Sequence, residues 1–118
     1  KYNFINTEGN LLSPKQWFDS ISNFHEGFAR VELNEKYNFI NTEGELLSPN
    51  QWFDWVDSFT EGFAVIKLNG KWNFINTEWQ LLSPNQWFDN VGNFYEGFAS
   101  VALNGKWFKI DKEGRIVT

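Results

Sequence analysis

The chain repeats itself with a period of 35 residues, and this repetition limits the folds open to it. Three complete copies occupy residues 1–35, 36–70 and 71–105, and a partial fourth copy occupies residues 106–118. The complete copies agree at 22 of 35 positions without an insertion or deletion. A fixed period of this length is typical of arrays whose neighbouring units stack to bury a shared core. Since the chain opens inside a repeat without an initiator methionine, we expect a single repeat domain over residues 1–118, excised from a longer protein.

The composition favours a soluble folded protein over a disordered one and argues against several function classes. The 7 Trp, 3 Tyr and 13 Phe residues supply ample core material, since each buried aromatic ring removes roughly 150–250 Å² from water. A net charge of −5 with scattered basic residues argues against a nucleic-acid partner. No apolar run approaches the roughly 20 residues that cross a bilayer, so no membrane insertion is expected. The absence of cysteine excludes disulfides and thiolate sites, no cofactor is predicted, and the compartment stays unknown.

Asn-Gly pairs between alternating segments predict a β-hairpin in each copy. Asn69-Gly70 and Asn104-Gly105 suit the two left-handed positions of a two-residue turn. Such a turn places Ile66 opposite Asn73. The first copy carries Asn34-Glu35 at this point, and Glu tolerates positive φ poorly. We therefore expect the first turn to be strained or of another type.

The two faces of each hairpin differ in how constant they are between copies. We predict that the constant face of small and aliphatic residues forms the core: Ala29, Val31, Leu33, Ala64, Ile66, Leu68, Ala99, Val101 and Leu103. The other face varies between copies, and we expect it to be partly solvated. Asn38 and Asn73 fall on the core face. Because a buried amide needs hydrogen-bond partners, we expect these two residues to tie strands together.

The segment Ser48-Pro49-Asn50-Gln51 predicts the start of a short helix over residues 49–57. Ser followed three residues later by Gln is a capping box, and Pro is favoured at the first helical position. The apolar residues that follow recur at helical spacing: Trp52, Phe53, Val56 and Phe59. An irregular strand is the alternative. Further along, Glu61-Gly62 predicts a left-handed turn supplied by the glycine.

Together these signals predict a mainly β fold of tandem units. Each unit would be a β-hairpin, a short return strand near Leu46-Leu47 and a short capped helix. A lone hairpin cannot bury its own face, so the units should stack into a solenoid-like or closed array. Residues 1–6 lack a hairpin partner. They either form a ragged edge open to self-association or pair elsewhere and close the structure.

The order of these motifs resembles that of the WG-repeat (KWG-repeat) proteins of bacteria. The segments that carry the resemblance are Lys71-Trp72-Asn73-Phe74-Ile75-Asn76, Ser83-Pro84, Trp87-Phe88-Asp89, Phe94, Glu96-Gly97-Phe98-Ala99 and Asn104-Gly105. The sequence departs at the name-giving glycine, which is replaced by Asn3, Asn38 and Asn73. The resemblance implies a tandem β-rich interaction region with no particular ligand. The hairpins are also similar to choline- and glucan-binding cell-wall repeats, whose units are shorter and lack the Ser-Pro segment.

Candidate catalytic residues are few, and structural roles explain them better. His25 is the only histidine and occupies a variable turn position. Residues that repeat in every copy should serve turns and backbone hydrogen bonds, which applies to Asp19, Asp54, Asp89, Glu26, Glu61 and Glu96. A serine nucleophile needs a nearby base, and the recurrent serines, which we predict to be N-caps, have none in sequence: Ser13, Ser48 and Ser83. We predict no catalytic residue, no metal site and no enzyme activity.

Aromatic residues specific to one copy are the candidate ligand-binding residues: Trp55, Trp79 and Tyr95. The recurrent tryptophans, in contrast, are predicted to pack in the core: Trp17, Trp52 and Trp87. Exposed aromatic rings can stack on sugars, on peptides or on a neighbouring repeat. Random drift of a surface position is the alternative interpretation. The leading hypothesis is a non-catalytic repeat scaffold that mediates protein–protein interaction, and the alternative is a carbohydrate or cell-wall binding module.

Overall fold

Short antiparallel strands build the protein. The computed structural model describes residues 1–117. Within that range the strands are β1 (Ser20–His25), β2 (Phe28–Leu33), β3 (Lys36–Asn41), β4 (Trp55–Val56), β5 (Phe63–Leu68), β6 (Lys71–Asn76), β7 (Asn90–Val91), β8 (Phe98–Leu103), β9 (Lys106–Asp111) and β10 (Ile116–Val117). They form three antiparallel sheets in the orders β1-β2-β3, β4-β5-β6 and β7-β8-β9-β10. The predicted mainly β fold is confirmed.

The Asn-Gly hairpins have the predicted register. Ile66 pairs with Asn73, between two strands that meet at Asn69 and Gly70. These turn residues have φ angles of 53° and 81°, as a type I′ turn requires. Asn34-Glu35 adopts the same geometry, with φ angles of 53° and 66°. Glu35 therefore carries the backbone strain that the sequence predicts, and the turn is not of another type.

A second tight turn precedes each central strand. Glu61 and Gly62 have φ angles of 54° and 88°, and Thr60 and Phe63 exchange backbone hydrogen bonds of 2.8 and 3.1 Å across them. The predicted left-handed glycine is confirmed. The glutamate before it is left-handed as well, which the sequence did not indicate. Two successive tight turns make each sheet a meander. The strand that begins in each Glu-Gly-Phe-Ala segment therefore lies between two other strands of its sheet.

The predicted helix over residues 49–57 is wrong. The segment begins with a single turn, closed by a 3.3 Å hydrogen bond from the Gln51 N–H to the Ser48 carbonyl, and then extends into β4. The Ser48 hydroxyl donates to the Gln51 carbonyl at 2.6 Å instead of accepting from a backbone N–H, so it is not an N-cap. Phe53 next exchanges two backbone hydrogen bonds with Tyr37, which an irregular strand can do and a helix cannot.

Within residues 1–117, no helix is long and apolar enough to cross a membrane.

The core lies both within and between the sheets. Ala64 and Ile66 on the predicted core face are fully buried, as expected. Partial solvation of the other face is wrong in the middle of the sheet, where Val65 and Phe74 are 5% and 1% exposed. These two residues share a cluster with Val101 of the third sheet. The variable face is therefore covered by the next unit.

Buried asparagines join each hairpin to the Ser-Pro turn that follows it. The Asn38 amide nitrogen donates to the Ser48 carbonyl at 2.7 Å, and the amide oxygen accepts from the Ser48 and Phe39 N–H groups at 3.2 and 2.8 Å. Asn38 and Ser48 are both fully buried. Asn73 makes the same set of bonds in the next unit. The predicted tie between segments is confirmed, and it gives every polar atom of the buried amide a partner.

The array is open and elongated, measuring 50 × 27 × 18 Å. The closed arrangement considered from the sequence is wrong, since three separate sheets are present over the described range and residues 1–6 remain a ragged edge. Single bridges, Tyr2 to Phe18 and Ile5 to Leu11, hold that edge. The return strand is likewise reduced to one bridge, such as Ile40 to Leu46. Units pack together through shared cores, but within residues 1–117 no continuous solenoid sheet joins them.

Candidate functional site

Trp79 occupies a backbone position that glycine fills in the other copies. Its φ angle is 62°, where Gly44 has 84° and Gly114 has 81°. The Asn76 side chain holds the turn by accepting the N–H groups of Glu78 and Gln80, each at 2.9 Å. A bulky residue with positive φ costs roughly 1–3 kcal/mol, and such strained residues cluster at functional sites.

The Trp79 ring forms one wall of an apolar cleft between the second and third copies. We call this the Trp79 cleft; its volume is about 230 Å³ and it is lined by Gln51, Phe53, Leu68, Trp79, Leu81 and Trp87. Trp79 itself is 39% exposed. Gln51 is the one polar side chain in the lining, and its amide already donates to the Trp52 carbonyl at 2.6 Å. The cleft therefore offers apolar contact and few hydrogen-bonding groups.

The equivalent turn of the second copy has no room for a side chain. A Cβ atom added to Gly44 would lie 2.1 Å from the carbonyl oxygen of Leu12. A Cβ atom on Gly114 would lie 3.3 Å from the carbonyl oxygen of Leu82. Trp79 therefore requires its turn to stand further from the preceding copy. This wall of the cleft is particular to the third copy.

Trp55, in contrast, is a packing residue at the junction of the first two sheets. Its ring meets Tyr37 edge-on at 4.9 Å, and the Arg30 guanidinium lies 4.9 Å above its centroid. Arg30 also donates to the Val56 carbonyl at 3.3 Å. Two residues that are each unique to one copy are thus partners across a repeat boundary, with a cation–π contact between them.

Tyr95 lies at the far end of the array, in a more polar groove. The side chain is 75% exposed. The groove, which we call the Tyr95 groove, has a volume of about 510 Å³ and is lined by Asn93, Tyr95, Glu96, Phe98, Ala99, Ser100 and Lys109. It shares no lining residue with the Trp79 cleft. The three candidate ligand-binding residues are therefore not brought together, and they remain predictions.

The recurrent aspartates fix the Asn-Gly turns. The Asp89 carboxylate pairs with the Lys71 ammonium and accepts the Asn104 N–H at 2.7 Å. The lysine contact, and after it the backbone N–H, lower the pKa of Asp89 below its ordinary value. The same contacts lower the pKa of Asp54 and of Asp19. Such carboxylates are ionised and already occupied by an ion pair and a backbone hydrogen bond, which suits a structural role and not proton transfer.

The recurrent glutamates connect one copy to the next. The Glu26 carboxylate accepts the N–H groups of Glu61 and Gly62 at 2.9 and 2.8 Å. Glu61 does the same with the next copy, and the Gly97 N–H, acting with the Glu96 N–H and Lys112, lowers the pKa of Glu61. His25 is exposed and directly precedes the Glu26-Gly27 turn. Within residues 1–117 no cluster of His, Asp and Glu could hold a metal ion.

A family comparison explains why these features recur. The sequence model described as a WG containing repeat matches residues 4–37, 39–72 and 88–107. The chain belongs to the WG-repeat family. No curated protein and no solved structure matches this WG-repeat chain significantly. Its departure from the name-giving glycine has a structural reason, since Asn38 and Asn73 use the side chain to bind the Ser-Pro turn.

Residues of the Trp79 cleft were partly missed by sequence reasoning. Trp87 is assigned to the core by its recurrence, yet it is half-buried and lines the cleft. Trp17, which we expected in the core, is 44% exposed. The buried ring in each Trp-Phe pair is the phenylalanine, as in Phe18 and Phe88. The replacement of glycine by Trp79 is the one sequence signal for the cleft, because the other residues that line the cleft come from distant segments.

Proposed function

We propose that this WG-repeat chain is a non-catalytic scaffold that binds another protein through the Trp79 cleft. The observation that carries the proposal is Trp79 itself. A large aromatic residue is kept in a left-handed position that glycine fills elsewhere, and it forms one wall of an apolar cleft. Strain of this kind persists where something offsets it, and a binding surface is a common reason.

The lining of the Trp79 cleft favours a protein partner over a sugar. Trp79, Trp87 and Leu68 offer aromatic and aliphatic contact, while the single polar lining residue is already hydrogen-bonded. Sugar hydroxyls need several polar groups to replace water, and the cleft does not supply them. An aliphatic or aromatic side chain needs only apolar surface, and tryptophan is enriched among residues that anchor protein interfaces. We infer that the cleft receives an apolar anchor side chain of a partner protein.

The test compares the parent chain with Trp79→Gly, which restores the residue of the other copies and removes the wall. Peptides are selected on the parent from a displayed random library, and their affinities for the parent and for Trp79→Gly are then measured. We expect enriched peptides with one aliphatic or aromatic anchor, and at least about a tenfold loss of affinity for Trp79→Gly. Tyr95→Ala is the matched control and should bind as the parent does. Peptides that bind Trp79→Gly equally well would exclude the cleft as the site.

The Tyr95 groove supports the alternative function, carbohydrate binding. An exposed ring stands beside polar side chains there, including Asn93 and Lys109, and such a combination suits stacking against a sugar with hydrogen bonds to its hydroxyls. A glycan array with the parent chain tests it. A sugar whose binding is lost in Tyr95→Ala and retained in Trp79→Gly would support this alternative. If no sugar on the array binds the parent chain, the carbohydrate-binding alternative is excluded.

A further inference from the structure

Two tryptophan rings line the Trp79 cleft, and this combination is particular to one copy boundary. Trp87 has an equivalent in every complete copy, whereas Trp79 stands where the second copy has Gly44. The boundary between the first two copies therefore has Trp52 without a second ring at residue 44. A ligand that contacts two indole rings in one cleft finds them between the second and third copies.

Both indole rings have an N–H group that is free to bind a ligand. The Trp87 carbonyl accepts from the Gln86 side chain at 2.7 Å, and the Trp79 backbone N–H donates to the Asn76 carbonyl at 3.1 Å. Neither indole nitrogen has an acceptor within residues 1–117. Over that range no buried side-chain nitrogen of a half-buried residue lacks a partner, so the Trp87 nitrogen reaches the surface. Trp79 is itself exposed. The cleft therefore presents two hydrogen-bond donors among apolar side chains.

The main chain of the sheet residues in the cleft is already occupied. Leu68 belongs to β5, which lies between β4 and β6. The N–H and carbonyl groups of Phe53 both bond to Tyr37, at 2.9 and 2.8 Å. An added β-strand needs an open row of backbone groups. Leu68 and Phe53 do not supply such a row, so a partner strand does not fit this site.

Two free donors favour a ligand whose main-chain carbonyl groups are also free. The carbonyl groups of an α-helix are bonded within the helix, apart from those of its last turn. A polyproline II helix has no internal hydrogen bonds, so its carbonyl groups can accept from a binding site. It is also preformed, and proline-rich segments commonly bind in aromatic-lined grooves. Among regular conformations, polyproline II therefore matches the indole donors best.

The size of the cleft is consistent with a small apolar ring. The volume is about 230 Å³, whereas pockets for drug-sized ligands measure roughly 300–1,000 Å³. A proline ring is compact and apolar, and it brings its carbonyl group close to the surface that it contacts. It can therefore serve as the anchor while the rest of the ligand stays outside the cleft.

An unpaired carboxylate follows the same turn. Glu78 directly precedes Trp79 and is exposed. Within residues 1–117 its carboxylate forms no salt bridge, and Lys71 is paired with Asp89. The chain as a whole carries a net charge of −5. Complementary charge therefore favours a ligand with a basic residue beside its anchor.

We propose that the Trp79 cleft binds a proline-rich segment of a partner protein in the polyproline II conformation, with a lysine or arginine beside the prolines. This inference rests on the proposed function, because it identifies the apolar anchor that the cleft receives. A proline ring packs against Trp79 and Trp87. The indole N–H groups donate to main-chain carbonyl groups of the ligand, and its basic residue pairs with Glu78.

The test compares two fluorescent peptides that differ only in their prolines. One is Ala-Pro-Pro-Leu-Pro-Pro-Arg, and in the other alanine replaces every proline. Both peptides have the same charge and the same leucine, which offers an apolar anchor in each. We expect saturable binding of the proline peptide in fluorescence anisotropy, and at least about tenfold weaker binding of the alanine peptide. Trp79→Gly should bind the proline peptide at least about tenfold more weakly than the parent.

Removal of one indole N–H group separates hydrogen bonding from ring packing. Trp87→Phe keeps an aromatic ring and loses the donor, so it should weaken binding of the proline peptide roughly twofold to tenfold. Trp17→Phe is the matched control, since it is the same substitution at the equivalent position outside the cleft, and it should bind as the parent does. In NMR spectra of the seven indole N–H groups, those of Trp79 and Trp87 should shift most on binding.

The charge contribution is tested at Glu78. Glu78→Gln should weaken binding of the arginine-containing peptide roughly twofold, because an exposed ion pair contributes little. Added salt should weaken binding to the parent more than binding to Glu78→Gln. Equal salt dependence of the two proteins would show that the basic residue does not pair with Glu78.

Three results would overturn the inference. The first is equal binding of the two peptides to the parent with equal dependence on Trp79, which would show that the cleft accepts any apolar anchor. The second is a proline peptide that does not bind the parent, or binds Trp79→Gly as tightly. The third is a set of Trp79-dependent peptides from the random library that contain no proline. The first and third results leave the proposed function standing, which fails only if no peptide of any sequence depends on Trp79.

Discussion

The Glu61 carboxylate accepts a 2.8 Å hydrogen bond from the backbone N–H of Gly97, which lies one copy further along the chain. Its other oxygen accepts from the Glu96 N–H at 2.6 Å. One recurrent side chain therefore satisfies the tight turn of the next copy. This contact explains why an acidic residue recurs before the glycine, although its own backbone there is left-handed and strained.

Removing this contact should lower stability at one copy boundary. We expect Glu61→Gln to lower the melting temperature by a few degrees, because a neutral amide is a weaker acceptor and cannot accept through both of its end groups. Glu96→Gln is the matched control, since the Glu96 side chain makes no hydrogen bond within residues 1–117. Thermal unfolding followed by circular dichroism checks both. Equal effects of the two substitutions would contradict the structural role of Glu61.

Stability should depend on pH through the turn-binding aspartates. The folded-state pKa of Asp89 is lowered, so its contribution is present above the ordinary carboxyl pKa and is lost as pH falls through the lowered value. We expect Asp89→Asn to be less stable than the parent near neutral pH. The two melting temperatures should converge as the pH falls through the lowered pKa of the parent carboxyl, because the carboxyl is then protonated and its ionic contacts are lost. Glu78→Gln, at an exposed position, should follow the parent throughout, and parallel curves for Asp89→Asn and the parent would contradict the linkage.

Two glycines with the same φ angle should differ in their tolerance of a side chain. Gly9 and Gly44 both have φ of 84°, but a Cβ on Gly9 meets nothing within 4 Å, whereas on Gly44 it would lie 2.1 Å from the Leu12 carbonyl oxygen. We expect Gly9→Ala to cost about 1 kcal/mol for the left-handed backbone alone. Gly44→Ala should cost roughly 1–3 kcal/mol more, because the two copies must move apart. Urea unfolding measures both, and equal losses would show that the close approach is absent.

The loss of stability on replacing the asparagine at the name-giving position should depend on how deeply that asparagine is buried. Asn3 and Asn38 make the same bonds to the following Ser-Pro turn, but Asn38 is fully buried and Asn3 is half-exposed. Asn38→Ala leaves the Ser48 backbone groups without partners in the core, which should cost about 1–3 kcal/mol for each unsatisfied group. Water can replace the amide at residue 3, so Asn3→Ala should cost less. Comparing free energies of unfolding in urea tests this, and the reverse order would be incompatible with the structure.

Local signals predicted the hairpins well and the Ser-Pro segment badly. Asn69-Gly70 fixed the register because its geometry is set by two adjacent residues. Ser48 and Gln51 also suit a helix start, but the same residues close a single turn equally well. Phe53 decides between the two outcomes, because its backbone pairs with Tyr37. That pairing depends on a segment outside the local window, so residues 49–57 alone could not indicate it.

The sequence by itself determined the repeat, the two-residue hairpins, the constant core face and the membership of the WG-repeat family, because each depends on residues close together or on recurrence. Only the tertiary structure decided which side chains are accessible. Ile5 and Ile40 have identical neighbours in sequence, yet one is exposed and the other buried. Burial depends on contacts with an adjacent copy, and within residues 1–117 such contacts cover Ile40 and not Ile5. The Trp79 cleft is decided in the same way. Trp79 became a candidate because it is an aromatic residue specific to one copy, and the cleft beside it depends on Phe53 and Leu68 of the copy before it.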